Sequence, residues 1–195
     1  MCSKLSQEQV VDMIVQLKDF SEMMVDLAYS SLIYNNEEIA DQVNDMEEIV
    51  DKLYTKLELT VLRSREMQPA EVLLSSIRLA VAAEQIADAA YKLATIVKKG
   101  AKSHPILKLA MEKADETIVA TTISANSILA DKNLGELGLE DDIGMKIIAV
   151  KRHGTWTYNP KDSFTLAPND LIIARGYSEG RERLLNAASP KLCDD

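Results

Sequence analysis

Two pairs of carboxylates stand at helical spacing in the first half of the chain: Glu47 with Asp51, and Glu84 with Asp88. Residues i and i+4 share one side of a helix. Two such pairs on facing helices supply the oxygen donors that a divalent ion or iron accepts. Glu47 and Asp51 flank the apolar seam of Met46, Val50 and Leu53, and Glu84 and Asp88 continue a stripe begun by Leu74, Ile77 and Val81. An unpaired charge on such a stripe is costly. The four acids therefore either hold a cation or are salt-bridged or solvated at a bundle edge. Glu22 and Asp26 repeat the spacing opposite the main seam of their own helix, where an acidic solvent face is expected, so the spacing alone decides nothing. No histidine reinforces the acids, since His104 lies beyond the helical segments and His153 much further on.

The elements that must position these acids are legible as periodicity. Val10, Met13, Leu17, Phe20, Met24 and Leu27 recur at three-four spacing, as do Ile39, Val43, Met46, Val50, Leu53 and Leu57. A third segment, about Ala70 to Lys99, carries a narrow stripe of Ala80, Ala83, Ala87, Ala90 and Ala94. Three amphipathic helices in an antiparallel bundle are predicted. Asn35-Asn36 separates the first two, Met67-Gln68-Pro69 the second and third, and Lys98-Lys99 before Gly100 suits a helix C-terminus. The third helix is apolar on more than one side, with Ile77 and Val81 beside the alanines. Small residues admit a second backbone closely, so a second copy of the chain is expected against the alanine stripe.

Composition changes sharply after the helices. No Gly precedes Gly100, and Pro69 is the sole Pro before Pro105. Strands are predicted at Ile147 to Lys151, Thr155 to Tyr158 and Leu171 to Arg175, with Gly154 in the first turn and Pro160, Pro168 and Asn169-Asp170 punctuating the next connection. Trp156 and Tyr158 alternate onto one strand face, where they fill a small core or a dimer seam. The chain is α+β: an antiparallel three-helix bundle over 1–110, then a small α/β module over 111–195.

Bulk properties narrow the function. The chain has 195 residues, 47% of them hydrophobic, in the range of folded domains. Through Glu112 there are 12 basic and 18 acidic residues, and beyond it 10 and 13, so both halves are net negative. Such a surface repels phosphate backbones, and no nucleic-acid partner is expected. No apolar run reaches the roughly 20 residues of a spanning helix, and no signal pattern opens the chain, so a cytoplasmic protein without membrane insertion is expected. Cys2 and Cys193 lack metal or redox spacing and read as reduced thiols. Nucleophile elbows, phosphate loops and His–carboxylate pairs are missing, so no enzyme is expected.

The second module resembles the C-terminal domain of RCK/TrkA potassium-transport regulators. The resemblance rests on the strand Ile147-Ile148-Ala149-Val150-Lys151-Arg152-His153-Gly154, on Asn159-Pro160 and on Asp170-Leu171-Ile172-Ile173-Ala174-Arg175-Gly176. Lys132-Asn133-Leu134-Gly135-Glu136-Leu137 is similar to the family's short helix after its first strand. Asp131 and Asn169 stand where the family usually has Gly, and both types tolerate left-handed backbone. The first module, with its Glu-x-x-x-Asp pairs, resembles one three-helix half of PhoU-type domains, some of which bind metal through such motifs.

These resemblances imply a regulator of a membrane cation transporter, most directly for potassium, acting as a homodimer through its C-terminal module. The alternative is a metal-binding regulator of phosphate uptake or signalling. The family implies cyclic di-AMP as an effector, with Arg152, His153 and Asn159 lining its site, although Lys151 to His153 also read as an exposed hairpin turn. Without a Gly-rich turn in the helical half, no NAD and no Rossmann-type ADP or ATP sensing are expected there.

Overall fold

The computed structural model describes residues 2–66, 68–100, 106, 109 and 114–190. The expected boundary at 110/111, His104, Met67, Cys193 and the side chain of Cys2 lie outside the described residues. Two compact units divide at Met1–His104 and Pro105–Asp195.

The first unit consists of helices α1 (Cys2–Tyr34), α2 (Glu37–Arg63) and α3 (Ala70–Lys98), each packed against the other two. The reversal between α1 and α2 takes two asparagines. Asn35 adopts φ 45°, and Asn36 caps α2, its Oδ1 accepting the backbone N–H of Ile39 at 3.1 Å. Glu37 and Glu38 in the first turn suit the positive end of the dipole. Helix α3 starts after Pro69, which fits the missing N–H of a first turn, and Gly100 at φ 70° follows its end. Met13, Leu17, Met24 and Leu27 of α1 are buried with Ile39, Val43, Met46, Val50 and Leu57 of α2, as the periodicity requires.

Two expectations are corrected. Ala80, Ala87, Ala90 and Ala94 are already buried in the chain's own bundle, and Ala83 is half-buried. The stripe is narrow because α1 and α2 approach α3 there, and it offers no face to a second copy. Asp26, assigned to a solvent face, is only 9% exposed, whereas Glu22 is exposed and pairs with Lys18 at 2.9 Å. The two acids differ in exposure although they share one side of α1, because α1 is packed against two neighbours rather than one.

The second unit is a four-stranded antiparallel sheet: β1 (Glu116–Thr122), β2 (Met145–Arg152), β3 (Thr155–Tyr158) and β4 (Leu171–Tyr177), in the order β1-β4-β2-β3. Strand β1 pairs along its whole length with β4, from Glu116 opposite Tyr177 to Thr122 opposite Leu171. Short helices α4 (Leu134–Leu137) and α5 (Leu139–Ile143) meet at left-handed Gly138, and α6 (Ser178–Ala188) closes the unit. Val119, Ile123, Leu129, Met145, Val150, Leu166, Ile172 and Leu184 form its core. Asp131 and Asn169, in place of glycine, adopt φ 61° and 68°, the left-handed backbone their types tolerate. A register shift between Ile147 and Ala149 marks a bulge at Ile148, whose carbonyl accepts the N–H of Asn159 at 2.9 Å.

Candidate functional site

The β2–β3 hairpin carries the residues expected at an effector site. Arg152 pairs with Thr155 across a two-residue turn in which His153 and Gly154 both have positive φ, 50° and 85°. Such a primed turn matches the twist of the flanking strands. His153 stands exposed at the hairpin tip, and Asn159, at φ 43°, is likewise exposed just beyond β3.

Arg152 turns back onto its own unit. Its Nε donates to Asp170 Oδ1 at 2.8 Å, and its Nη2 donates to Asp170 Oδ2 at 2.6 Å and to the Thr165 carbonyl at 2.7 Å. The guanidinium also lies 5.2 Å from the centre of the Phe164 ring. Asp170 is fully buried and receives a third bond from the Ala167 N–H at 2.8 Å. Burial pushes the Asp170 carboxyl up, but the bonds from Arg152 and Ala167 outweigh it and hold the group below its ordinary value. The fork that sequence reasoning offered to a ligand phosphate thus ties the end of β2 to the start of β4. The Arg-to-Asp separation of eighteen residues carries no sequence signal, and Asp170 is the partner that reading missed.

Trp156 and Tyr158 do share one strand face, stacked with centroids 5.9 Å apart, and the Lys151 ammonium lies 5.7 Å from the Trp156 ring centre. The Trp156 Nε1 is shielded from solvent and has no acceptor among the described residues. On another side of this unit a groove of about 270 Å³ opens between Leu134, Gly138, Lys146 and Pro160. Glu140, Asp141 and Asp162 line it against the single cation Lys146, a charge balance that does not suit a phosphate.

The acidic quartet of the helical unit gathers at the α2–α3 seam. Burial raises the Glu47 carboxyl, and Asp51, Asp88, Glu48 and Glu84 raise it further. Glu84 is raised by burial, then by Asp88 and Asp51. Lys92 holds Asp88 at 3.0 Å within α3, and Asp51 is exposed. Asn44, one turn before Glu47 on α2, has a shielded Oδ1 with no donor among the described residues. Carboxylates and an amide oxygen are hard donors, which fits a divalent cation or iron chemically. Among the described residues, however, no three His, Cys, Asp or Glu side chains converge tightly enough to hold an ion. The quartet places four carboxylates at one seam, with Glu47 and Glu84 both raised by burial and by their acidic neighbours.

Comparison with known proteins matches residues 14–97 to the PhoU domain and residues 118–189 to the TrkA-C domain. The fold described above, three long helices and then a small four-stranded sheet with helices, is that of these two domains in succession. No curated protein matches the sequence significantly. Among solved structures, the chain is similar to the RCK C domain of the potassium transport protein KtrA in complex with cyclic di-AMP, at 21% identity over 41% of this chain and 92% of that one, with a TM-score of 0.33. It is also similar to the RCK_C domain dimer of S. agalactiae BusR with cyclic di-AMP, at 22% identity over 34% and 88%, TM-score 0.33. A third, S. agalactiae BusR in complex with its busA-promotor DNA, is 19% identical over 67% and 63%, with a TM-score of 0.35.

Proposed function

We propose that the chain is a cytoplasmic regulatory protein that modulates a membrane cation transporter, most directly one for potassium, as a homodimer paired through its C-terminal module. The carrying observation is the TrkA-C match over 118–189, which spans nearly all of the described second unit, coupled in one chain to a PhoU domain. Both domains are regulatory rather than catalytic. The boundary between the working modules is taken at 110/111. Among the described residues no helix is long and apolar enough to cross a membrane. The net negative charge of both halves favours a protein partner over DNA. An effector that favours one dimer arrangement would shift the population seen by the transporter.

Cyclic di-AMP is the first effector to test. Its site would lie at the β2–β3 edge, with His153 and Asn159 in contact, Arg152 fixing the hairpin, and the Trp156–Tyr158 pair nearby. Titration calorimetry of the full chain with cyclic di-AMP, ATP, ADP and NADH tests this. Micromolar binding of cyclic di-AMP alone, lost in Asn159→Ala, is expected, and micromolar binding of NADH or ATP would contradict the domain assignment. Removal of the protein from its cell should also change rubidium uptake, and unchanged uptake of every potassium analogue would refute the transport role.

The second reading is a metal-binding regulator of phosphate uptake or signalling. The mutual elevation of Glu47 and Glu84 favours it, since a cation would relieve that repulsion. Protein purified without chelators should then retain an ion that Asp51→Asn/Glu84→Gln releases. Unaltered retention in the double variant would place the ion elsewhere.

A further inference from the structure

Helix α3 has a second apolar side, about 100° round from the buried alanines. Val72, Leu79 and Ile86 are 46%, 57% and 47% exposed, and Ile96 is 42% exposed. Together with exposed Ser75, Ala82 and Ala89 and half-buried Leu93 they run 72, 75, 79, 82, 86, 89, 93, 96. That is an unbroken heptad series, with Val72, Leu79, Ile86 and Leu93 at the a positions and Ser75, Ala82, Ala89 and Ile96 at d. It spans about 36 Å of helix. A seam with bulky a and mostly small d positions is built for another helix, and α1 and α2 do not supply it.

We propose that this seam pairs with the same seam of a second copy, antiparallel, about a two-fold axis between Leu79 and Ala82. The occupant follows from layer complementarity and charge. In a parallel pair each position meets its own kind, so Leu79 would face Leu79 while Ala82 faced Ala82, leaving gaps beside crowded layers. In the antiparallel pair Val72 faces the second copy's Ala89, Ser75 its Ile86 and Leu79 its Ala82, so that large meets small in every central layer.

The flanking g positions are Glu71, Arg78, Gln85 and Lys92. In this register Glu71 lies opposite Lys92 of the second copy, and Arg78 opposite its Gln85. A slip of one heptad would set Arg78 against Lys92, two like charges. On the other flank Ser76, Ala83 and Ala90 are small and obstruct nothing. The α3 seam is separate from any pairing through the C-terminal module.

Cross-linking of the full chain tests the register directly. In a Cys2→Ser/Cys193→Ser background, Ser75→Cys and Ile86→Cys chains carrying different tags are co-expressed and mildly oxidised. The proposal expects a covalent dimer only when both chains are present, because each position lies eleven residues, about 16 Å, from its own counterpart. Glu71→Lys should reduce that product several-fold, and adding Lys92→Glu should restore it. Cross-linking of Ile86→Cys alone would mean the slipped register, and of both variants alone a parallel pair; either overturns the proposal. So does failure to cross-link in the mixture, and a dimer that persists without the cross-link would leave pairing through the C-terminal module intact.

Discussion

Replacing Arg152 by Met should destabilise the second unit more than replacing its buried partner Asp170 by Asn. The side chain of Asp170 is 0% exposed and that of Arg152 is 39% exposed. Without Arg152 the carboxylate keeps only the Ala167 N–H, and breaking a buried pair in this way costs about 3–5 kcal/mol. Protonation caps the cost. Neutralising a carboxyl of ordinary pKa near 3.9 at pH 7 takes roughly 4 kcal/mol, so about 3–4 kcal/mol is expected. Asp170→Asn should cost less, about 1–2 kcal/mol, because the half-exposed guanidinium can turn to water.

The chain's single Trp, Trp156, lies on β3, so its emission follows this unit in urea at pH 7. The Arg152→Met midpoint should fall by roughly 1–3 M. Because the folded carboxyl of Asp170 lies below its unfolded value, its contribution is complete above about pH 4 and fades as pH falls through the folded value. The penalty in Arg152→Met should therefore shrink in acid. A loss below 1 kcal/mol, or Asp170→Asn costing the more, would refute the reasoning.

Glu47→Gln should raise the melting temperature of metal-free protein at pH 7. The raised folded carboxyl loses stability as pH climbs from the unfolded value through the folded one, and the amide removes that slope. Manganese should stabilise the wild type more than this variant in the same melt, and equal responses would separate the ion from the quartet. Asn36→Ala removes the cap of α2 and should cost about 1 kcal/mol in chemical denaturation of the helical unit followed by circular dichroism. Gly176→Ala would drive a Cβ into the Gly144 carbonyl and to within 2.8 Å of the Met145 Sδ. A loss of about 1–3 kcal/mol on the Trp156 signal is expected, and a neutral result would show that the β2–β4 crossing yields.

The helices and three of the four strands were legible because each carries its own period. Asn35-Asn36, Gly154 and the left-handed Asp131 and Asn169 were legible because local backbone chemistry names its residues. Strand β1 had no such signal of its own and entered only by resemblance. What the sequence hid was pairing at a distance. The Arg152–Asp170 bond, the burial of Asp26 and the side of α3 that faces inward all depend on which element lies opposite. The same four-three spacing describes two sides of α3, and alanine content alone pointed to the wrong one.

The strand order β1-β4-β2-β3 also sets a timetable. Helices α1 to α3 meet neighbours close in sequence and can assemble as they are made, whereas among the described residues β1 has one strand partner, β4, which begins forty-nine residues after β1 ends. At ribosomal rates that is roughly 2–10 s during which Val119 and its neighbours have no ladder to join. Nascent chains arrested before Leu171 should carry a protease-resistant helical unit and a digestible remainder, so the sheet unit forms after the helical one and all at once.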